Sequence, residues 1–147
     1  MLNSNVRDAV NFLANPPVFI GYQATAQSIA NGTSTVITLD TVQRDTYSGW
    51  NASTNTYTIP VSGVWVFTGQ VGWAANASGL RLAQLNGASY QVESRIAANA
   101  VAGWGTTAGF SGACYLTSGA ALSLIGYQGS GGALQTAGVV SALSLRW

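Results

Sequence analysis

The chain has 147 residues, with five basic residues, all arginine (Arg7, Arg44, Arg81, Arg95, Arg146), against four acids; charged residues make up 6% of it and hydrophobic ones 48%, where ordinary domains are about 25% charged. At a net charge of +1, and with no basic stripe, there is no electrostatic footprint for nucleic acid. Without histidine or lysine, the Ser-His-Asp, Cys-His, Schiff-base and Ser-Lys schemes cannot be built.

The length suits one domain that buries about 70% of its unfolded surface. A surface this short of charge depends on Ser, Thr, Asn, Gln and Gly, or hides against copies or partners; the second is the expectation. No stretch reaches the ~20 apolar residues of a membrane span, and the start lacks a basic flank before an apolar signal core, so a soluble, unprocessed chain with no membrane partner is expected. Cys114 is the lone cysteine, so an internal disulfide is excluded, which points to folding in a reducing cytoplasm.

Taken in order, residues 2–13 place Leu2, Val6, Ala9, Val10 and Leu13 at helical spacing, with Asn3 or Ser4 as cap and Asp8 toward the positive end. Asn15-Pro16-Pro17 ends the helix. About three turns of helix are marginal alone in water, so the element must dock. Its pattern marks a face without naming what covers it: its own domain, a neighbouring subunit or a larger assembly. Residues 1–17 are therefore read as an arm for attachment or docking, with Leu2, Val6, Val10, Phe12 and Leu13 as its contact residues.

Residues 18–25 alternate as a strand covered on both faces. Asn31-Gly32 marks a turn before the β-branched run 35–39, and residues 40–49 read as a strand end plus loop. A turn at 51–55 leads into the centre of the chain, two strands (56–59 and 63–73) joined through Pro60-Val61-Ser62-Gly63. In the second, Trp65, Phe67, Val71 and Trp73 repeat with period two against Val64, Val66, Thr68 and Gln70, marking a core strand.

Residues 74–79 read as loop, and 80–85 as a strand closed by Asn86-Gly87, a hairpin signal because a type I′ turn needs positive φ at both central positions. The return strand is placed at 89–96, residues 97–109 as mostly exposed loop containing Trp104, and a strand from Phe110. A turn at 117–119, a strand at 121–128, a Gly-rich loop at 129–132 and a final strand at 142–147 complete the pattern. Eight to ten short strands and no helix after residue 13 predict an all-β fold, a jelly-roll β-sandwich over 18–147 with a short N-terminal helix.

The residues offer little chemistry. Zinc would need more Cys or His ligands than one, and no metal or cofactor is expected. Cys114, on an apolar run, reads as a small hydrophobe. The carboxylates Asp40 or Asp45 with Glu93 are the one pair that could serve glycoside hydrolysis, though scattered acids are more often solvating groups or arginine partners. Gly103–Gly109 is spaced G-x-G-x-x-x-G with no helix behind it, which excludes a phosphate loop. Asn31-Gly-Thr33, Asn51-Ala-Ser53 and Asn76-Ala-Ser78 match glycosylation acceptors by composition alone. Binding remains: aromatics in polar, Gly-rich loops stack on sugar rings, and Trp104, Tyr47 and Trp50 are the candidates for cell-surface glycan, Trp104 first, since the other two read more readily as core or trimer-interface residues.

Val36-Ile37-Thr38-Leu39-Asp40-Thr41-Val42, Trp50-Asn51 with Thr54, Tyr57-Thr58-Ile59-Pro60, Gly63-Val64-Trp65-Val66-Phe67, Leu85-Asn86-Gly87 and Ser141-Ala142-Leu143-Ser144-Leu145 stand in an order that resembles a known family. It is the trimeric globular-head jelly roll shared by complement component one, subunit q, and the tumour necrosis factor superfamily. The resemblance spans 18–147. It departs at Ala120, where the family often has Asp, and residues 88–110 have no counterpart, so calcium sites and receptor contacts are not carried over. The opening, LNSNVRDAVNFLANPPVF, resembles a segment that precedes such heads in structural proteins of tailed bacteriophages, especially those of actinobacteria.

These resemblances imply a non-enzymatic homotrimer, attached to capsid or tail proteins of a virion and folded in the bacterial host cytoplasm. Capsid decoration, head-fibre or tail-associated roles come first, and host-surface adhesion second. A secreted bacterial carbohydrate-binding module is the alternative from another class, and a hydrolase a third.

Overall fold

A computed structural model describes residues 3–87, 92–97 and 105–147. Leu2 and Trp104, assigned to the arm and to glycan contact, lie outside the described residues. Among the described residues there is one helix, α1 (Ser4–Ala14), then β1 (Val18–Tyr22), β2 (Ser28–Ile29), β3 (Thr35–Val36), β4 (Thr41–Asp45), β5 (Trp50–Asn51), β6 (Thr56–Thr58) and β7 (Gly63–Trp73). They are followed by β8 (Leu80–Asn86), β9 (Val92–Ala97), β10 (Thr106–Leu116), β11 (Ala121–Gln128), β12 (Leu134–Gln135) and β13 (Ala142–Arg146).

The strands form two packed antiparallel sheets, a jelly-roll sandwich. One runs β10-β7-β13-β1-β4; the other runs β5-β6-β11-β8-β9 with β3 beside β11, and β12 with β2 makes a short extra pair. β7 organises the first sheet. It pairs along its whole length with β10, from Gly63↔Leu116 to Trp73↔Thr106, and on its other side with β13, Ala142↔Gln70 to Arg146↔Val66. Its inward side chains Trp65, Phe67, Val71 and Trp73 are fully buried and meet Tyr57, Leu85, Leu122 and Leu124 of the opposite sheet in one apolar cluster. Trp65 donates its indole N–H to the Val61 carbonyl at 3.0 Å, whereas the indole N–H of the equally buried Trp73 has no partner among the described residues. At Gly69 the absence of a side chain is used: the Phe110 ring lies where a Cβ would stand.

Four expectations from the sequence are corrected. Residues 56–59 and 63–73 do not pair: β6 joins β5 and β11, while β7 joins β10 and β13. Pro60-Val61-Ser62 carries the chain from one sheet to the other, and a turn signal is the same for a hairpin and for such a crossing. Residues 40–49 are more than a strand end, since β4 is an edge strand paired with β1 across a register shift between Ile20 and Gly21. β10 begins at Thr106, four residues before the expected start; Ala108 is fully buried there, because a full-length partner in β7 compensates for small, weakly β-forming residues. Of the run 35–39, only Thr35 and Val36 join a ladder, to Gly126 and Ile125.

One buried group works against stability. Arg81 is 0% exposed, on the same inward register as Ala83 and Leu85. One guanidinium nitrogen donates to the carbonyls of Ser78 and Leu80 at 3.0 and 3.1 Å, while Nε and the other terminal nitrogen have no partner. Among the described residues the only ion pair is Arg7–Asp8 at 3.3 Å, and no described carboxylate compensates the charge. Burial pushes the arginine pKa below its usual value. Arg81→Met, which keeps the stem and removes the charge and the orphaned donors, is expected to stabilise the fold by about 1–3 kcal/mol, read as a higher midpoint in urea.

Candidate functional site

The outward positions of the β10-β7-β13-β1-β4 sheet alternate with the core row and form an open face. The register sets its cross-strand rows: Tyr115 beside Val64; Ala113, Val66, Arg146 and Val18; Ser111, Thr68, Ser144, Ile20 and Arg44; Gly109, Gln70, Ala142, Tyr22 and Thr41. Val64 is 60% exposed, Val66 44% and Tyr115 59%. Arg146 is the one charge on β10, β7, β13 and β1, Arg44 lies on the edge strand β4, and no acid stands in these rows. Small residues at Gly109 and Ala142 leave room on this face for a shallow groove of about 370 Å³, lined by Ile20, Thr68 and Ser144 and without a titratable side chain. Such a face has area and shape to offer, and no carboxylate in these rows.

Asp40 and Asp45 stand elsewhere, in structural roles, and the Glu93 side chain lies outside the described part of the structure. Asp40 accepts hydrogen bonds from the backbone N–H groups of Ala24 at 2.6 Å and Thr25 at 2.9 Å, tying the chain after β1 to the start of β4. Asp45 accepts from the N–H groups of Tyr47, Gly49 and Trp50 at 3.3, 3.2 and 2.9 Å, which closes the β4–β5 turn. Among the described residues no group of three or more His, Cys, Asp or Glu side chains comes together, and no helix is long and apolar enough to cross a membrane.

The Ala24 N–H, ahead of the bonds from Thr25 and Thr41, holds the Asp40 carboxyl below its ordinary value of 3.8. A lowered folded-state pKa gives stability that is complete above the unfolded value and is lost as pH falls through the folded one. Asp40→Asn is therefore expected to melt below the wild type at neutral pH, and the two melting curves to converge on acidification beneath pH 3.8.

The structure separates the three glycan candidates. Tyr47 and Trp50 flank the turn held by Asp45, and Trp104 is outside the described residues. The Tyr47 ring lies edge-on to Phe12, 6.3 Å between centroids. Trp50 is half-buried and stacks on Phe19 at 4.9 Å, so one face of its indole is committed to the core.

In the arm, Asn3 caps α1 by accepting from the Asn5 N–H at 3.1 Å, and the Asn15 N–H closes the other end on the Asn11 carbonyl. No residue of α1 is buried: Val6, Val10 and Leu13 are 46%, 55% and 72% exposed. Phe12 makes the ring contact with the sandwich, edge-on to Trp147 at 4.7 Å. The Trp147 indole in turn covers Gly63, at the end of β7 where Val64 and Tyr115 lie. Sequence reasoning passed over Ile20, Tyr115, Ser144 and Arg146 as surface residues. The alternation Gly109, Ser111, Ala113, Tyr115 held the signal for β10, but small residues conceal it.

No protein-family model matches the chain, and no curated protein does. Solved structures share its fold. The globular domain of zebrafish complement 1qA protein superposes with a TM-score of 0.64 at 14% identity, over 89% of this chain and 95% of that one. Eiger TNF from S. frugiperda gives 0.62 at 10% identity over 88% and 90%, and murine APRIL 0.62 at 12% over 88% and 97%. At these identities the likeness is one of architecture: the chain is a jelly roll of the complement-q and tumour-necrosis-factor type.

Proposed function

We propose that the protein is a non-enzymatic homotrimer whose sandwiches meet through the outer face of the β10-β7-β13-β1-β4 sheet, and that it serves as a structural component of a bacteriophage virion. One observation carries the trimer: a broad sheet face exposes Val64 and Val66, with Arg146 as the only charge on β10, β7, β13 and β1. Apolar residues on such a face gain about 25 cal/mol for each Å² withdrawn from water, and three identical copies can close a ring in which each copy covers part of its neighbour's face. Sedimentation of the purified chain at micromolar concentration tests this; a stable monomer would remove the proposal.

The virion assignment draws on the likeness of residues 2–19 to segments ahead of phage head domains and on a nearly uncharged, disulfide-free composition suited to assembly in a bacterial cytoplasm. Antibody labelling of purified particles tests it, with capsid or tail label expected. A decoration protein binds empty particles and raises their thermal resistance, whereas an adhesin binds host cells as a free trimer. For the adhesin, a glycan array with wild type and Trp104→Ala is the direct assay, and equal binding removes Trp104.

A further inference from the structure

The face of α1 left open by the sandwich has the spacing of a helix-to-helix seam. Val6, Val10 and Leu13 are separated by four and then three residues, the alternation that keeps apolar side chains on the inner line of a coiled coil. Phe12, which holds α1 to Trp147, lies roughly a third of a turn round the helix from that line. The contact with the sandwich therefore orients the helix and leaves the stripe free. We propose that the α1 helices of the three copies pack in parallel against one another through Val6, Val10 and Leu13, forming a short seam at the end of the trimer. This rests on the trimeric reading above.

Three observations favour another copy of α1 as the occupant. The first is continuity: Phe12 touches Trp147, Trp147 covers Gly63, and Gly63 begins the strand that carries Val64 and Val66. The end of the sheet face that would be shared by the copies is the end from which α1 emerges. The second is charge: the two charged side chains of α1, Arg7 and Asp8, pair with each other at 3.3 Å, so three parallel copies bring together no net charge. The third is length. An 11-residue helix is marginal alone, and so is a seam this short between free chains. Chains already held together by their heads meet at an effective concentration of about millimolar, which makes association intramolecular.

The test uses the full chain with Cys114→Ser, adding either Val10→Cys on the stripe or Asn11→Cys on the opposite side of the helix, with sedimentation before mild oxidation and non-reducing electrophoresis after it. Trimers in which Val10→Cys forms cross-linked pairs at least tenfold faster than Asn11→Cys support the seam. Trimers in which the two cross-link at the same rate overturn it while leaving the sheet interface standing. That result would also be expected if the stripe were covered by a different protein. Monomers would remove the trimeric reading and the seam together. Val10→Lys supplies a second readout: the seam requires the helical circular-dichroism signal to fall while the sandwiches stay trimeric, and an unchanged signal overturns it.

Discussion

Val64→Glu combined with Val66→Glu will leave the sandwich folded and break the assembly into single chains. Both side chains point away from the core in one chain, at 60% and 44% exposure, so each substitution should change single-chain stability by no more than about 0.5 kcal/mol. In the assembly each copy would instead bury two carboxylates on a face that holds no acid and one central arginine. An unpaired buried charge costs about 3 kcal/mol or more, and tenfold in affinity corresponds to about 1.4 kcal/mol. Trimer affinity should therefore fall by at least about 10³-fold, seen as one-third of the wild-type mass in sedimentation with an unaltered β-sheet spectrum. A doubly charged variant that remains trimeric at micromolar concentration would move the interface to another surface.

The second large effect is expected at Trp65. Its indole fills the middle of the sandwich, touches Tyr57 edge-on at 6.1 Å between centroids, and spends its N–H on the Val61 carbonyl. Trp65→Ala removes that volume from a close-packed interior between two sheets that cannot collapse without breaking ladder bonds. The loss should be about 3–5 kcal/mol, a large share of the roughly 5–15 kcal/mol that holds a domain folded. Urea denaturation should show a lower midpoint with an unchanged slope, the sign that stability has changed and the surface exposed on unfolding has not. Because Val61 lies in the crossing between β6 and β7, Trp65→Phe separates the hydrogen bond from the volume and should cost much less than the alanine variant.

The two substitutions act on opposite faces of one strand. β7 has the period-two pattern in which every second residue is core and the others meet whatever lies outside. The same alternation fixes Trp65 in the interior and leaves Val64 and Val66 for association. Tyr47 and Trp50 illustrate the limit of reading aromatics in the same way. Both sit by a polar turn in the sequence, yet Phe12 is drawn to one and Phe19 to the other by packing between segments far apart in the chain.

The sequence by itself determined the all-β class, the helix, the turn glycines at 32 and 119, and the buried face of β7, because each depends on local periodicity or on a single residue's φ preference. Only the tertiary structure decided that β6 and β7 lie in different sheets, that β10 extends back to Thr106, that Asp40 and Asp45 are spent on backbone N–H groups, and that Arg81 is buried with no counter-charge among the described residues. These outcomes depend on which distant strand supplies the hydrogen bonds or covers the side chain. Pairing of that kind is a long-range competition among many similar short strands, and no window of neighbouring residues contains its result.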